Sequence, residues 1–330
     1  MISRFFTKNT QVPKSLKNKK IVCIGGGTGL FSLLSGLKEY ADSSRNIKAI
    51  ITTLDSGGSS GKLITQYGVL PPGDIRNCMV ALSDESKVLA ELFQYRFDDQ
   101  MDNHNFGNLI ITALTKITGD FASGVREASR ILRIRGEVIP VSLEKNTLIA
   151  KCDDGRELVS EAVIDTTPDK KIDEIYLKSE GKTNPSAVKA LVEADIIIFG
   201  PGDLYTSILP NLLFPKVRRA INSNVRAKKV LISPVMSKPG ETDGFVVSDF
   251  KREIEKYLKA PITHVISNTH VPASVALGEY QKENKHPVAI DEDNLRNIKL
   301  VKGNLIDENK LVRHNPENLA KIIMKLVFSK

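Results

Sequence analysis

Residues 20–40 read KIVCIGGGTGLFSLLSGLKEY. Lys20–Ile24 reads as a short apolar strand that runs into Gly25, Gly26 and Gly27, and Gly29 follows Thr28. Beyond the glycines, Leu30, Leu33, Leu34 and Leu37 recur at the spacing of one helical face. A second apolar run, Ile47–Leu54, is rich in Ile and Thr and ends at Asp55. Strand, glycine turn, helix and strand make a βαβ unit, which requires parallel pairing. The fold class is therefore α/β with a mostly parallel sheet.

The alternation continues along the chain. Strands are expected at Asp195–Phe199, Lys229–Pro234, Thr263–Ser267, Pro287–Ile290 and Ile298–Val301. Helices are expected over 84–97, 106–134, Ser186–Ala194, Ser248–Leu258 and Pro316–Val327, with a further one near Pro210 and Pro215. Asp120 reads as an N-cap and Gly136 as a helix stop. The glycine- and serine-rich stretch 56–77 reads as a long loop. Between Val138 and Leu177 the period shortens. Thr147–Cys152 and Glu157–Val163, joined by Asp153-Asp154-Gly155, predict a small β-hairpin insertion near 138–180 lying on the main sheet.

With 330 residues, 41% hydrophobic and 26% charged, the chain has the composition of an ordinary globular protein. That excludes collagen-like, low-complexity and wholly disordered classes. No apolar run approaches the roughly 18 residues that span a bilayer. The net charge of +8 is concentrated: residues 1–20 carry Arg4, Lys8, Lys14, Lys17, Lys19 and Lys20 and no acid, which leaves +2 for the rest. Residues 1–19 thus read as a basic, disordered arm, able to touch an anionic membrane or RNA. The arm lacks the apolar core of a secretory signal. Cys23, Cys78 and Cys152 show no CxxC spacing. That argues against a disulfide framework or zinc site and fits a reducing cytoplasm.

Several segments carry candidate chemistry. The turn Gly25–Gly29 matches two positions of the dinucleotide fingerprint, but Leu30 replaces the third glycine. It reads as a phosphate cradle, with the following helix presenting its positive end, or as a tight turn that holds nothing. Asp55 ends the second strand, and Ser56-Gly57-Gly58-Ser59-Ser60-Gly61-Lys62 is either an anion nest or a flexible surface loop. It is not a P-loop, because Leu63 stands where Ser or Thr would hold Mg²⁺. Asp74, Arg76 and Asn77 follow Pro71-Pro72-Gly73; they suit phosphate, or a turn closed by an ion pair. His104 and Asn108 can share a helix face, or Asn103 and Asn105 can serve as caps. Gly200-Pro201-Gly202-Asp203-Leu204-Tyr205-Thr206-Ser207 is a second strand–glycine–helix turn for an anion or sugar. Lys238–Gly244 is a polar loop on the same expected edge. Tyr280 would stack on a base and Arg313 would bind a diphosphate. Any metal should be Mg²⁺, held by Asp55 and Asp74 with ligand phosphates. The five histidines show no zinc spacing.

Taken together, GGGTGL (25–30), DSGGSSGKL (55–63), LPPGDIRNCMVALSD (70–84), LFQYRF (92–97), HNFGNL (104–109), TGDF (118–121), GPGDLYTSILPNLL (200–213) and PGETDG (239–244) resemble one family. It is the bacterial gluconeogenesis factor family (YvcK-like), related to 2-phospho-L-lactate transferase within the CofD-like superfamily. The resemblance implies a three-layer αβα Rossmann-like fold, as a single domain over 20–330. It implies a cytoplasmic protein needed for gluconeogenic growth, normal cell shape and cell-wall precursor metabolism. A UDP-sugar such as UDP-N-acetylglucosamine is the implied ligand. Gly26, Gly27, Thr28, Gly29, Asp55, Gly58, Ser59, Ser60, Asp74, Asn77 and Asn108 would form the cleft with Gly202 and Thr206. Tyr280 and Arg313 would hold the uridine diphosphate end. A homodimer and a regulatory protein partner are expected, with no specific nucleic acid and no membrane span. The family usually has two acidic residues where this chain has Asp55-Ser56. Three functions follow: a nucleotide-sugar-binding regulator, an Mg²⁺-dependent transferase of a phospho-lactate-type group from a nucleoside diphosphate donor, or an NAD(P)-linked oxidoreductase. Leu30 counts against the last.

Overall fold

The computed structural model describes residues 12–44, 46–167, 170–272, 278, 280–307 and 312–329. The main sheet contains β1 (Ile21–Gly25), β2 (Ile47–Ile51), β3 (Glu137–Pro140), β7 (Ile196–Phe199), β8 (Lys228–Ile232), β9 (His264–Asn268) and β10 (Lys299–Gly303). Their order is β10-β9-β8-β7-β1-β2-β3, and every pairing is parallel. The strand order reverses between β1 and β7. Such a switch point opens a crevice at the carboxyl ends of the strands.

Helices cover both faces. On one lie α1 (Gly27–Leu37), α3 (Gly73–Leu82), α6 (Phe121–Ile131) and α12 (Pro316–Phe328), burying Leu30, Leu34, Met79, Leu82, Val125 and Ile323. On the other lie α8 (Pro185–Glu193), α9 (Leu209–Leu212), α10 (Pro215–Ser223) and α11 (Val247–Leu258), burying Leu191, Leu212, Val217, Ile221, Phe250 and Ile254. Strand residues alternate between these two cores: Ile21 and Cys23 face one, Val22 and Ile24 the other. This is the expected three-layer αβα arrangement. Further helices are α2 (Gly58–Tyr67), α4 (Lys87–Gln94) and α5 (Phe106–Thr118).

Several boundaries differ from the sequence reading. Residues 56–77 are not a long loop, because α2 and the whole first turn of α3 lie within them. Leu63 anchors α2 in the fold, and Gly68, at φ +69°, ends it in a left-handed cap. The stretch 106–134 is in two parts, as Asp120 indicates, and the first ends at Gly119, at φ +84°. Asp120 then caps α6 by accepting from Ser123 N at 2.9 Å. Gly136 is not a helix stop. It precedes β3, where a Cβ would come 2.9 Å from Leu82 Cδ1. Pro215 opens α10 rather than closing a helix. Pro287–Ile290 forms no strand; Pro287 makes a single bridge with Met236.

The insertion is a separate antiparallel sheet, not an addition to the main one. It contains β4 (Leu148–Cys152), β5 (Glu157–Val159) and β6 (Ile172–Leu177), in the order β5-β4-β6. The expected strand Glu157–Val163 is split. Ser160, at φ +92°, turns the chain into α7 (Glu161–Thr166) and caps Val163 N. Apolar faces of the insertion join the α11 side of the core, and Tyr257 Oη accepts from Ile175 N at 2.7 Å. A short ribbon of β11 (Ile306–Asp307) and β12 (Arg313–His314) precedes α12.

The arm 1–19 divides. Residues 1–11 lie outside the described residues. Leu16 is fully buried, and its N–H donates to Tyr40 O at 2.9 Å, so the chain is packed well before residue 19.

Candidate functional site

Both glycine turns stand at the switch point. β1 and β7 pair directly, and Gly200 N donates to Ile24 O at 2.9 Å. Two motifs far apart in the chain thereby become the two lips of one crevice. The fit is close. A Cβ on Gly29 would lie 2.3 Å from Pro201 O and 2.4 Å from Gly202 Cα. A Cβ on Gly27 would lie 2.4 Å from Asp74 O, and one on Gly26 would meet Ser207 Oγ at 2.6 Å and Asp74 Oδ2 at 2.9 Å. Gly27 and Gly29 are required for close approach of backbone to backbone, and Gly26 leaves room for the Ser207 and Asp74 side chains. Leu30, in place of a third glycine, packs over Gly25, where an added Cβ would lie 3.2 Å from Leu30 Cγ.

The crevice has two connected compartments that share Thr28, Gly29, Asp165, Gly202 and Asp203. The inner one is a cavity of about 330 Å³ bounded by Asp55, Asp74, Glu161, Asp165, Asp203 and Thr206. The outer one, of about 440 Å³, reaches Lys238, Tyr280, Lys285, Arg313 and His314. The inner compartment is strongly acidic. Burial and the nearby Asp55 charge push Asp74 up to about 7. Burial and Asp55 likewise push Glu161 up to about 7, and burial raises Asp55 itself. Asp55 is steadied by Gly57 N, which donates at 2.9 Å.

This donor set bears on Mg²⁺. Among the described residues no three ligating side chains are grouped to enclose a metal. Mg²⁺ ordinarily takes one or two carboxylates and completes its shell with water and ligand phosphates. Asp55 and Asp74 supply such hard oxygens, and their crowded charge favours a cation between them. The residues present fit Mg²⁺ arriving with a phosphate, and Asp55 and Asp74 would hold it.

The opposite sign enters through Lys238. Its Nζ donates to Asp203 at 2.9 Å and to Asp165, and lies 3.0 Å from Glu241 Oε1. Glu241 is fully buried and also faces Lys170, 4.0 Å away. Burial lowers the Lys238 pKa, but Asp203 and Glu241 outweigh it, so the ammonium is held charged. Lys238 thus joins the 236–244 loop, the β7 turn and the insertion at the cleft wall. Lys238→Met should cost about 3 kcal/mol, because it strands Glu241 without its nearest counter-charge. Lys238→Met with Glu241→Gln should recover much of that loss in urea unfolding. No recovery would mean that packing, not charge, holds the loop.

The structure sorts the sequence candidates. Gly26, Gly27, Thr28, Gly29, Asp55, Asp74, Gly202 and Thr206 meet at the inner compartment or pack directly on its wall, and Asn77 stands behind Gly27. Tyr280 and Arg313 meet in the outer one. Others serve the scaffold. His104 Nδ1 and Ser59 Oγ are 3.1 Å apart, and Asn108 Nδ2 donates to Ser59 Oγ at 3.3 Å, which ties α2 to α5. Arg76 donates to Asn77 Oδ1 at 2.7 Å and to Phe93 O. Ser60 Oγ accepts from Gly73 N at 3.3 Å, which joins α2 to the start of α3. Gly58 lines a shallow hollow with Gly61 and Lys62, apart from the cleft. Tyr205, expected as a ligand contact, is 2% exposed in the core beneath α9. Asn105 is a cap, accepting from Asn108 N at 3.1 Å.

Glu161 and Asp165 escaped the sequence reading because Glu157–Val163 read as a strand, which hid the start of α7. Ser160 was the available signal, an N-cap residue followed by two carboxylates four apart on one helix face. A third cavity, of about 310 Å³, lies behind Asp55 and Ser56 between α2 and the insertion, lined by Leu54, Leu70, Leu148, Lys145 and Lys178.

A parallel αβα sheet with an acidic crevice at its switch point defines the doubly wound class of folds, which take ligands at the carboxyl ends of their strands. The family described as 2-phospho-L-lactate transferase CofD matches residues 21–306. A relative from Aquifex aeolicus is 42% identical, aligned over 94% of this chain and 98% of that protein. The gluconeogenesis factor of Bacillus subtilis is 37% identical over 93% of this chain and 98% of its own length. A crystal structure of a UPF0052 family member from Bacillus halodurans superposes with a TM-score of 0.88, at 37% identity, covering 93% of this chain and 98% of that one. The chain belongs to the gluconeogenesis factor family, within the CofD-like group.

Proposed function

We propose that the protein is a regulatory factor that binds a nucleotide-sugar of the UDP-N-acetylglucosamine type, and that it serves gluconeogenic growth, cell shape and cell-wall precursor metabolism. The observation that carries this reading is the continuity of the two compartments. An elongated ligand would lay its diphosphate along Thr28, Gly29 and Gly202, with the base beside Tyr280 and Arg313 at the outer end. Tyr280 is held at the outer compartment, since its Oη accepts from Val312 N at 3.1 Å while Lys285 lies 5.8 Å from its ring centroid, and this supports the reading.

A transferase of a phospho-lactate-type group is the second reading. Asp55 and Asp74 favour it, because two crowded carboxylates suit Mg²⁺ on a diphosphate donor. The cytoplasm is the expected compartment under either reading. Among the described residues no helix is long and apolar enough to cross a membrane.

Thermal shift separates the readings. UDP-N-acetylglucosamine at 100 times its Kd should add about 2.7 kcal/mol of stability. Arg313→Ala should weaken it about tenfold. A response to GDP only with Mg²⁺, followed by product formation, would favour the transferase. A response to NAD or NADP alone would revive the oxidoreductase. No response to any of these would overturn the cleft assignment.

A further inference from the structure

We infer that the cavity between α2 and the insertion is a second ligand site, built for a small organic acid with its anionic group at one end, an apolar body, and a hydroxyl or carbonyl at the other end. The cavity holds about 310 Å³, at the small end of the range for ligand pockets. It shares Asp55 alone with the inner compartment of the cleft and no lining residue with the outer one, so it is a separate site. Its middle is apolar: Leu54, Leu70 and Leu148 are buried, and Ile64 and Pro71 complete that lining. Both ends are polar. At the buried end Thr53 is 2% exposed, and its hydroxyl has no hydrogen-bond partner among the described residues. A buried hydroxyl without a partner carries a desolvation penalty that a hydrogen-bonding ligand group would relieve.

At the open end stand Lys145 and Lys178, both exposed and neither with a side-chain partner among the described residues. The neighbouring acid, Glu144, pairs instead with Lys182 at 2.7 Å. Lys145 reaches toward α2, where a Cβ on Gly68 would lie 3.7 Å from its Nζ. The carboxyl end of that helix favours a cation there, but it leaves Lys178 and the Thr53 hydroxyl unexplained. The two lysine-bearing segments are fixed to each other. Lys178 N donates to Thr147 O at 2.9 Å, and Asn146 Nδ2 donates to Ser179 O at 2.9 Å. Such fixing lowers the ordering cost of binding. The acid on the wall is turned aside: Asp55 Oδ1 accepts from Gly57 N at 2.9 Å, and its Oδ2 would lie 3.1 Å from a Cβ on Gly73. Two ammonium groups over an apolar lining suit a carboxylate on an apolar body and disfavour a cation.

Calorimetric titration of the full chain with 4-hydroxybenzoate and with 4-hydroxyphenylacetate, one methylene longer, tests this. At least one should bind with a Kd of about 1 mM or below, as expected for so small a ligand. The neutral 4-hydroxybenzyl alcohol should bind at least about tenfold more weakly, and Lys145→Gln with Lys178→Gln should weaken the acid by a similar factor. The same acid without its hydroxyl should bind about fivefold more weakly. Thr53→Val should abolish that last difference without lowering the melting temperature, because it removes a hydroxyl that has no partner in the protein. Saturable binding by neither acid up to about 10 mM would overturn the proposal. So would equal affinity for acid and alcohol, or an affinity that the lysine double variant and Thr53→Val both leave unchanged, which would place the probe in the cleft. None of the substituted residues lines the cleft, so the result does not depend on what the cleft binds.

Discussion

Gly27→Ala is expected to destabilise the protein by about 3 kcal/mol, the upper end of the usual cost of overpacking. The added methyl would stand 2.4 Å from Asp74 O, 2.6 Å from Asp74 Cα and 2.8 Å from Asn77 Cβ. Two of these atoms are backbone at the start of α3, so no flexible side chain can swing aside. Either α1 and α3 separate or the cradle distorts, and both movements pull Asp74 from the cleft. Urea unfolding should show a lower midpoint with an unchanged slope. Gly57→Ser is the comparison. Its nearest neighbour would be Asp55 Oδ1 at 3.7 Å, and Ser is a good N-cap residue for α2, so no loss is expected. A shift for Gly27→Ala no larger than for Gly57→Ser would show that the helices do not approach as closely as described.

The second large effect is electrostatic. Asp74→Asn keeps the shape and removes the charge. In the parent protein, burial and the Asp55 charge push Asp74 and Glu161 up to about 7. A carboxyl raised on folding binds protons more tightly in the native state, so that stability is present on the acid side and lost as the pH rises through about 7. Melting of the parent chain should therefore fall between about pH 5 and pH 8, in the window of those two groups. Asp74→Asn should flatten that fall, gaining stability at the alkaline end of the window and little at the acid end. On the transferase reading proposed above, loss of one of two candidate Mg²⁺ carboxylates should also weaken metal-dependent nucleotide binding by about tenfold or more. If Asp74→Asn changes stability equally at both ends of the window, the crowded-carboxylate account is contradicted.

The fold could be read early because its signals are local. Ile21–Ile24, the glycines and the leucines of α1 announce a βαβ unit within one short stretch, and Asp120 announces its own helix. Errors arose where local composition and tertiary context disagree. Glycine and serine made 56–67 look like a loop, yet Leu63 finds a core and Ser59 finds His104 and Asn108, so the segment is helical. Tyr205 adjoins the cleft residue Thr206 in sequence, but its ring points into the α9 core.

The strand–glycine–helix alternation, the family and the identity of the residues lining much of the cleft were all present in the amino-acid order. They depend on periodicity and on motifs contained within a few turns of chain. Which of the candidates lie together was settled by the folded arrangement. The reversal of strand order at β1 and β7 brings Gly29 against Gly202. The docking of α7 adds Glu161 and Asp165 to the acidic compartment, and Lys238 joins three distant segments. A charge acquires its chemical role from the charges and the dielectric around it. Those neighbours come from parts of the chain that no local pattern connects.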